Sequence, residues 1–85
     1  MTLDIFGNPL YTGDVVVFAD GDGHGSALLE VYEVEEVIGN NTVRASLLSG
    51  EYAGNEFYLQ HTDKRCSLIR NVYKTAELNR STTIN

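Results

Sequence analysis

The sequence predicts a small all-β domain, a five-stranded barrel of mainly antiparallel strands followed by a short C-terminal tail with room for a helical turn. Three observations lead there. Gly13-Asp14 supplies a turn directly ahead of the bulky run Val15-Val16-Val17-Phe18, the pattern of a short buried strand. Short apolar segments divided by Gly, Asn and Asp clusters follow one another within about seventy residues, the spacing of small barrels. The chain has 85 residues, enough for one core, because a domain near this size buries only about 60% of the surface its unfolded chain exposes.

Phe6-Gly7-Asn8-Pro9-Leu10, which contains the single proline, reads as a turn that brings Phe6 and Leu10 to the edge of the barrel. Gly13-Asp14 then launches a strand over Val15–Ala19. Asp20–Ser26 holds three glycines and almost no apolar surface, so it reads as a loop. Ala27–Ile38 fits two periods, approximating helical spacing and also strand alternation with one phase slip. Val31, Tyr32, Val34, Val37 and Ile38 are β-branched or aromatic, which decides for strand, and a β-bulge near Glu33 would absorb the slip.

Gly39-Asn40-Asn41 tolerates positive φ and so predicts a tight hairpin into Thr42–Leu48, where Val43, Ala45 and Leu47 share one face. Gly50–Gly54 forms the next turn, and Glu56–Gln60 the fourth strand with Phe57 and Leu59 inward. A closing strand over Ser67–Arg70 completes the barrel. The domain spans residues 1–71 and the tail 72–85; Lys74–Leu78 can make a turn or two of helix, and Ser81–Asn85 is expected to lack order.

The net charge of −6 is unevenly spread. Residues 1–60 carry ten acids against the single base Arg44, whereas residues 61–85 carry five bases against Asp63 and Glu77. An acidic body therefore precedes a basic tail. The apolar runs are far shorter than the ~20 residues of a membrane-spanning helix, and Met1–Phe6 has neither the basic start nor the apolar stretch of a secretory signal. A cytoplasmic setting is the expectation. Cys66 is the only cysteine, which rules out an internal disulfide, and beside Leu68 and Ile69 it reads as a small hydrophobe rather than a reactive thiol.

The order Gly13-Asp14-Val15-Val16-Val17-Phe18, then Val31-Tyr32-Glu33-Val34-Glu35-Glu36-Val37, then Thr42-Val43-Arg44-Ala45 and finally Ser67-Leu68-Ile69-Arg70 resembles SH3-like barrels of the KOW and Tudor-like kind. Asp4-Ile5-Phe6-Gly7-Asn8 ahead of Gly13-Asp14 is also similar to the opening of small accessory proteins of tailed bacteriophages. The similarity covers roughly residues 4–70. It implies an SH3-like fold and, for an accessory protein, a host or viral protein as partner. It does not name an activity, since such barrels host many. Nucleic-acid-binding KOW modules usually have a glycine at the start of the second strand and basic loops, whereas here Ala27-Leu28-Leu29-Glu30 opens that strand and Glu33, Glu35 and Glu36 follow, which argues against a polyanion as ligand.

Asp20-Gly21-Asp22-Gly23-His24-Gly25 spaces carboxylates as a calcium loop does, but the bidentate acid due at the twelfth position falls on Val31. A zinc ion held by His24, His61 and an aspartate has no ligand spacing behind it. Gly21, Gly23 and Gly25 lack the Lys-Ser/Thr of a phosphate cradle, and Asp20 and Asp22 would repel phosphate. His61-Thr62-Asp63 has no nucleophile elbow to work with. The expectation is therefore a non-enzymatic protein without cofactor or metal.

Glu30, Glu33, Glu35 and Glu36 form the densest acidic cluster, and such a field steers basic partners. Tyr32 and Tyr58 fall opposite the inward phase of their strands, so a solvent-facing tyrosine pair is expected to anchor a partner. The candidate protein-binding residues are Tyr32, Glu33, Glu35, Tyr58, Asp20 and Asp22. Two alternatives stand beside this reading: a nucleic-acid-binding surface of Lys64, Arg65, Arg70, Lys74 and Arg80, and a self-assembling virion or structural protein contacting through an exposed edge strand.

Overall fold

The computed structural model describes residues 1–21 and 27–70. The expectations for Asp22 and the rest of the glycine loop up to Ser26, and for the tail from Asn71 with Lys74 and Arg80, lie outside the described residues.

Five strands and one helical turn make up the fold: β1 (Val15–Gly21), β2 (Ala27–Val37), β3 (Thr42–Leu47), β4 (Glu56–Gln60), α1 (Thr62–Arg65) and β5 (Cys66–Arg70). They form one antiparallel sheet in the order β4-β3-β2-β1-β5. The all-β class and the number of strands are as the sequence predicts. Among the described residues the sheet is not closed into a barrel, because β4 and β5 are its two edges and do not pair.

Turn chemistry sets the entry to β1. Gly13 sits at φ 94°, a conformation open to glycine, and its N–H donates to the Val34 carbonyl at 2.7 Å. The Asp14 carboxylate accepts from the Tyr11 N–H at 2.9 Å, closing the turn on itself. The Asp14 carbonyl accepts from the Val34 N–H at 2.8 Å, so Gly13 and Asp14 tie the turn to the middle of β2. Between β2 and β3 the chain reverses through Asn40 (φ 54°) and Asn41 (φ 55°), with the Thr42 N–H returning to the Gly39 carbonyl at 3.1 Å. Two consecutive positive φ values are those of a type I′ turn, whose twist matches that of the flanking strands.

Alternation in β1 to β4 buries one face. Val16, Phe18, Tyr32, Val34, Val43, Ala45, Leu47 and Leu59 form the core with Leu10 and Cys66, and half-buried Leu68 packs against it. Four details differ from the sequence reading, the first being that β1 runs on through Asp20 and Gly21, which the sequence reads as loop. The register slip in β2 falls between Val34 and Glu36 rather than at Glu33, so Tyr32 and Val34 keep one phase and both point inward. Phe6 lies 74% exposed, because the Asp4–Gly7 turn projects it away from the sheet, while Leu10, read as an edge residue, is buried in the core. Phe57 faces the core side as expected, but at the open edge it is left 39% exposed, whereas Leu59 is fully packed.

Candidate functional site

The open seam of the sheet is where the molecule offers a site. Between the end of β1 and the edge strand β4 lies a pocket of about 200 Å³, lined by Phe18, Tyr32, Phe57 and Leu59 together with Asp20, Tyr58, Gln60, His61 and Arg65. Its aromatic walls follow from register. Val16 pairs with Tyr32 and Ala45 with Phe57, which brings the rings of three strands to the core side. Tyr32 packs edge-on against Phe18, with centroids 6.2 Å apart, and against Phe57 at 6.0 Å.

The electrostatics of this space are acidic on the β1–β2 side. Asp20 shares a strand face with Phe18, and Glu30 lies opposite Phe18 in register. Burial pushes the Tyr32 hydroxyl pKa up, and the charges of Glu30 and Asp20 push it further the same way. Both carboxylates thus act on the hydroxyl of a pocket-lining residue. On the other side, exposed Arg65 from α1 has no ion-pair partner among the described residues.

The expected tyrosine pair is therefore split. Tyr32 is 4% exposed, a core residue and not a surface anchor, because the bulge falls two residues later than the sequence suggests. Tyr58 is 68% exposed at the sheet edge, as expected. Glu33 and Glu35 lie on the opposite face of the sheet from the pocket. There Arg44 forms ion pairs with Glu36 and Glu56, and the Ser46 hydroxyl donates to Glu35 at 2.8 Å. Asp20 is exposed beside the pocket, and Asp22 lies outside the described residues.

The basic set does not converge either. Lys64 and Arg65 are exposed on α1, and Arg70 is exposed at the far end of β5. Lys74 and Arg80 lie outside the described residues. Cys66 is fully buried, and burial, followed by the charge of Asp4, pushes its thiol up to about 12.

Sequence reasoning missed Asp4, which it counted with the acidic surface. Asp4 is 2% exposed. Its carboxylate accepts from the N–H groups of Phe6 (3.0 Å), Asn8 (2.8 Å) and Leu68 (2.9 Å) and from the Asn8 side-chain amide (3.2 Å). Burial alone would raise its pKa, but these bonds to the ionised form outweigh it and hold the carboxyl below its ordinary value. The signal in the sequence was an aspartate three residues before Gly7, the pattern of an Asx turn.

Compared with family models, with curated proteins and with solved structures, the chain matches none.

Proposed function

We propose that this chain is a non-enzymatic protein-binding module of SH3-like architecture, a phage-type accessory protein that binds and modulates a host or viral protein in the host cytoplasm. Support for the architecture comes from the short antiparallel strands, consecutive from β1 to β4, with β5 returned to the free side of β1. The observation that carries the binding reading is the pocket at the seam, which joins aromatic rings to nearby carboxylates. A basic side chain fits such a space, since a cation gains from aromatic faces and from Asp20 and Glu30 together. Arg65 is then placed to hold a carboxylate or carbonyl of the same partner. The acidic outer face adds long-range steering toward a basic surface. The exposed bases of the described residues lie at both ends of β5, which favours a protein over a nucleic acid as partner.

The test is a titration of the labelled protein with two capped tripeptides, one centred on arginine and one on glutamate, read at the ring resonances of Phe18, Tyr32 and Phe57. The arginine peptide is expected to shift them and the glutamate peptide to leave them in place. Asp20→Asn should weaken the response several-fold. An equal response to both peptides, or none to either, removes the pocket from the argument.

A further inference from the structure

The two edges of the sheet are treated differently. The outer side of β5 is capped by the N-terminal segment: the Ile5 N–H donates to the Cys66 carbonyl at 2.9 Å, and the Leu68 N–H donates to the Asp4 carboxylate at 2.9 Å. A carboxylate there stands in for the carbonyl of a neighbouring strand. Among the described residues, β4 pairs with β3 and with no other strand. The Leu47 N–H bonds to the Asn55 carbonyl at 3.0 Å just before β4 begins, and antiparallel bonding alternates from there. Phe57 and Leu59 therefore turn their backbone groups to β3, and Glu56, Tyr58 and Gln60 turn theirs outward.

Exposed edges usually carry a lysine, a proline or a bulge that discourages further pairing. Glu56-Phe57-Tyr58-Leu59-Gln60 carries none of these. Its one charge, Glu56, is already taken by Arg44. The segment is also self-complementary when read against itself in the antiparallel sense. About a two-fold axis at Tyr58, the Glu56 carboxylate meets the Gln60 amide of the mate, Phe57 meets Leu59, and Tyr58 meets Tyr58. The apolar pairs fall on the core side, the polar and tyrosine pairs on the outer side, so every contact has like chemistry or a hydrogen-bond match.

We infer that β4 is a self-pairing edge, through which two copies of this chain join their sheets in an antiparallel, two-fold symmetric dimer. The inference does not rest on the pocket reading. Such an interface is isologous and closes on itself, so it gives dimers and not filaments. One five-residue strand edge covers much less than the ~1,200 Å² of a stable interface, so the dimer is weak and concentration-dependent.

Sedimentation across the micromolar to millimolar range tests this. A reversible monomer–dimer equilibrium is expected. Gln60→Lys should tighten it several-fold by facing Glu56 of the mate, and Gln60→Glu should loosen it several-fold, each contact occurring twice per dimer. Both changes are at an exposed position and leave the core intact. Register is checked with Tyr58→Cys in a Cys66→Ala background. The paired Cα atoms, about 5.5 Å apart, permit a disulfide, so mild oxidation should yield a covalent dimer. A monomer at all concentrations, or a dimer indifferent to both Gln60 changes, would overturn the inference.

Discussion

At the scale of single residues, the acids of this chain divide into those that face water and those that hold the backbone. Asp4 belongs to the second group, with donors from two segments, the Phe6–Asn8 turn and β5, converging on one carboxylate. Asp4→Asn leaves one oxygen to accept but turns an NH₂ toward the donors of Leu68 and Asn8, so it should cost about 2–4 kcal/mol. Because its pKa lies below the ordinary 3.8 in the folded state, its contribution is complete above that value and is lost as pH falls through the lower, folded value. Urea denaturation near neutral pH and again well below pH 3.8 measures both effects, and the gap between wild type and Asp4→Asn should narrow in acid. Cys66 provides a second check. Buried, and with its thiol pushed up to about 12, it should resist a thiol reagent at neutral pH and react fully once denaturant is added. That role was legible from its apolar neighbours. The role of Asp4 was not, because its partner Leu68 lies 64 residues away.

The β2–β3 hairpin makes the point at the scale of an element. Gly39-Asn40-Asn41 announced a reversal in the sequence, and the structure places it at the expected residues with positive φ at both asparagines. The two asparagines are not equivalent, since the Asn41 side chain also accepts from the Leu3 N–H at 2.9 Å. Asn40→Gly should therefore change stability by less than about 0.5 kcal/mol, whereas Asn41→Ala, losing both its tolerance of positive φ and the bond to Leu3, should cost about 2 kcal/mol. Thermal unfolding of the two variants separates them. The bulge in β2 was also legible, but only as a need. Two phases met somewhere in Glu33–Glu36, and the residue that slips is chosen by which side chains fill the core. Tyr32 and Val34 win because their rings and branches pack against Phe18, Ala45 and Phe57, and Glu35 is left to take the extra position.

At the scale of the whole molecule, charge and closure matter most. A chain of net charge −6, with Glu33 and Glu35 on the same sheet face as the Glu36–Arg44–Glu56 ion pairs, repels itself. Moderate salt screens that repulsion within about 10 Å, so the midpoint of thermal unfolding should rise as sodium chloride is added, and Glu33→Gln should raise it at low salt more than at high salt. A midpoint that fell with salt would mean that the ion pairs of Arg44 outweigh the repulsion. Closure is a different matter. Barrel spacing in the sequence set the number and length of the strands, yet the two edge strands do not pair among the described residues, and an aromatic pocket lies between the end of β1 and β4.

The sequence alone determined the all-β class, the positions of the strands, the hairpin turn and the buried face of β3. These depend on neighbours a few residues apart, where period and turn chemistry act directly. Only the tertiary structure decided that Tyr32 is a buried pocket wall, that Asp4 is a strap across the β5 edge, and that β4 pairs with no strand but β3 among the described residues. Each of these depends on contacts between distant segments, and no local pattern encodes which backbone edge a given carboxylate or ring will meet.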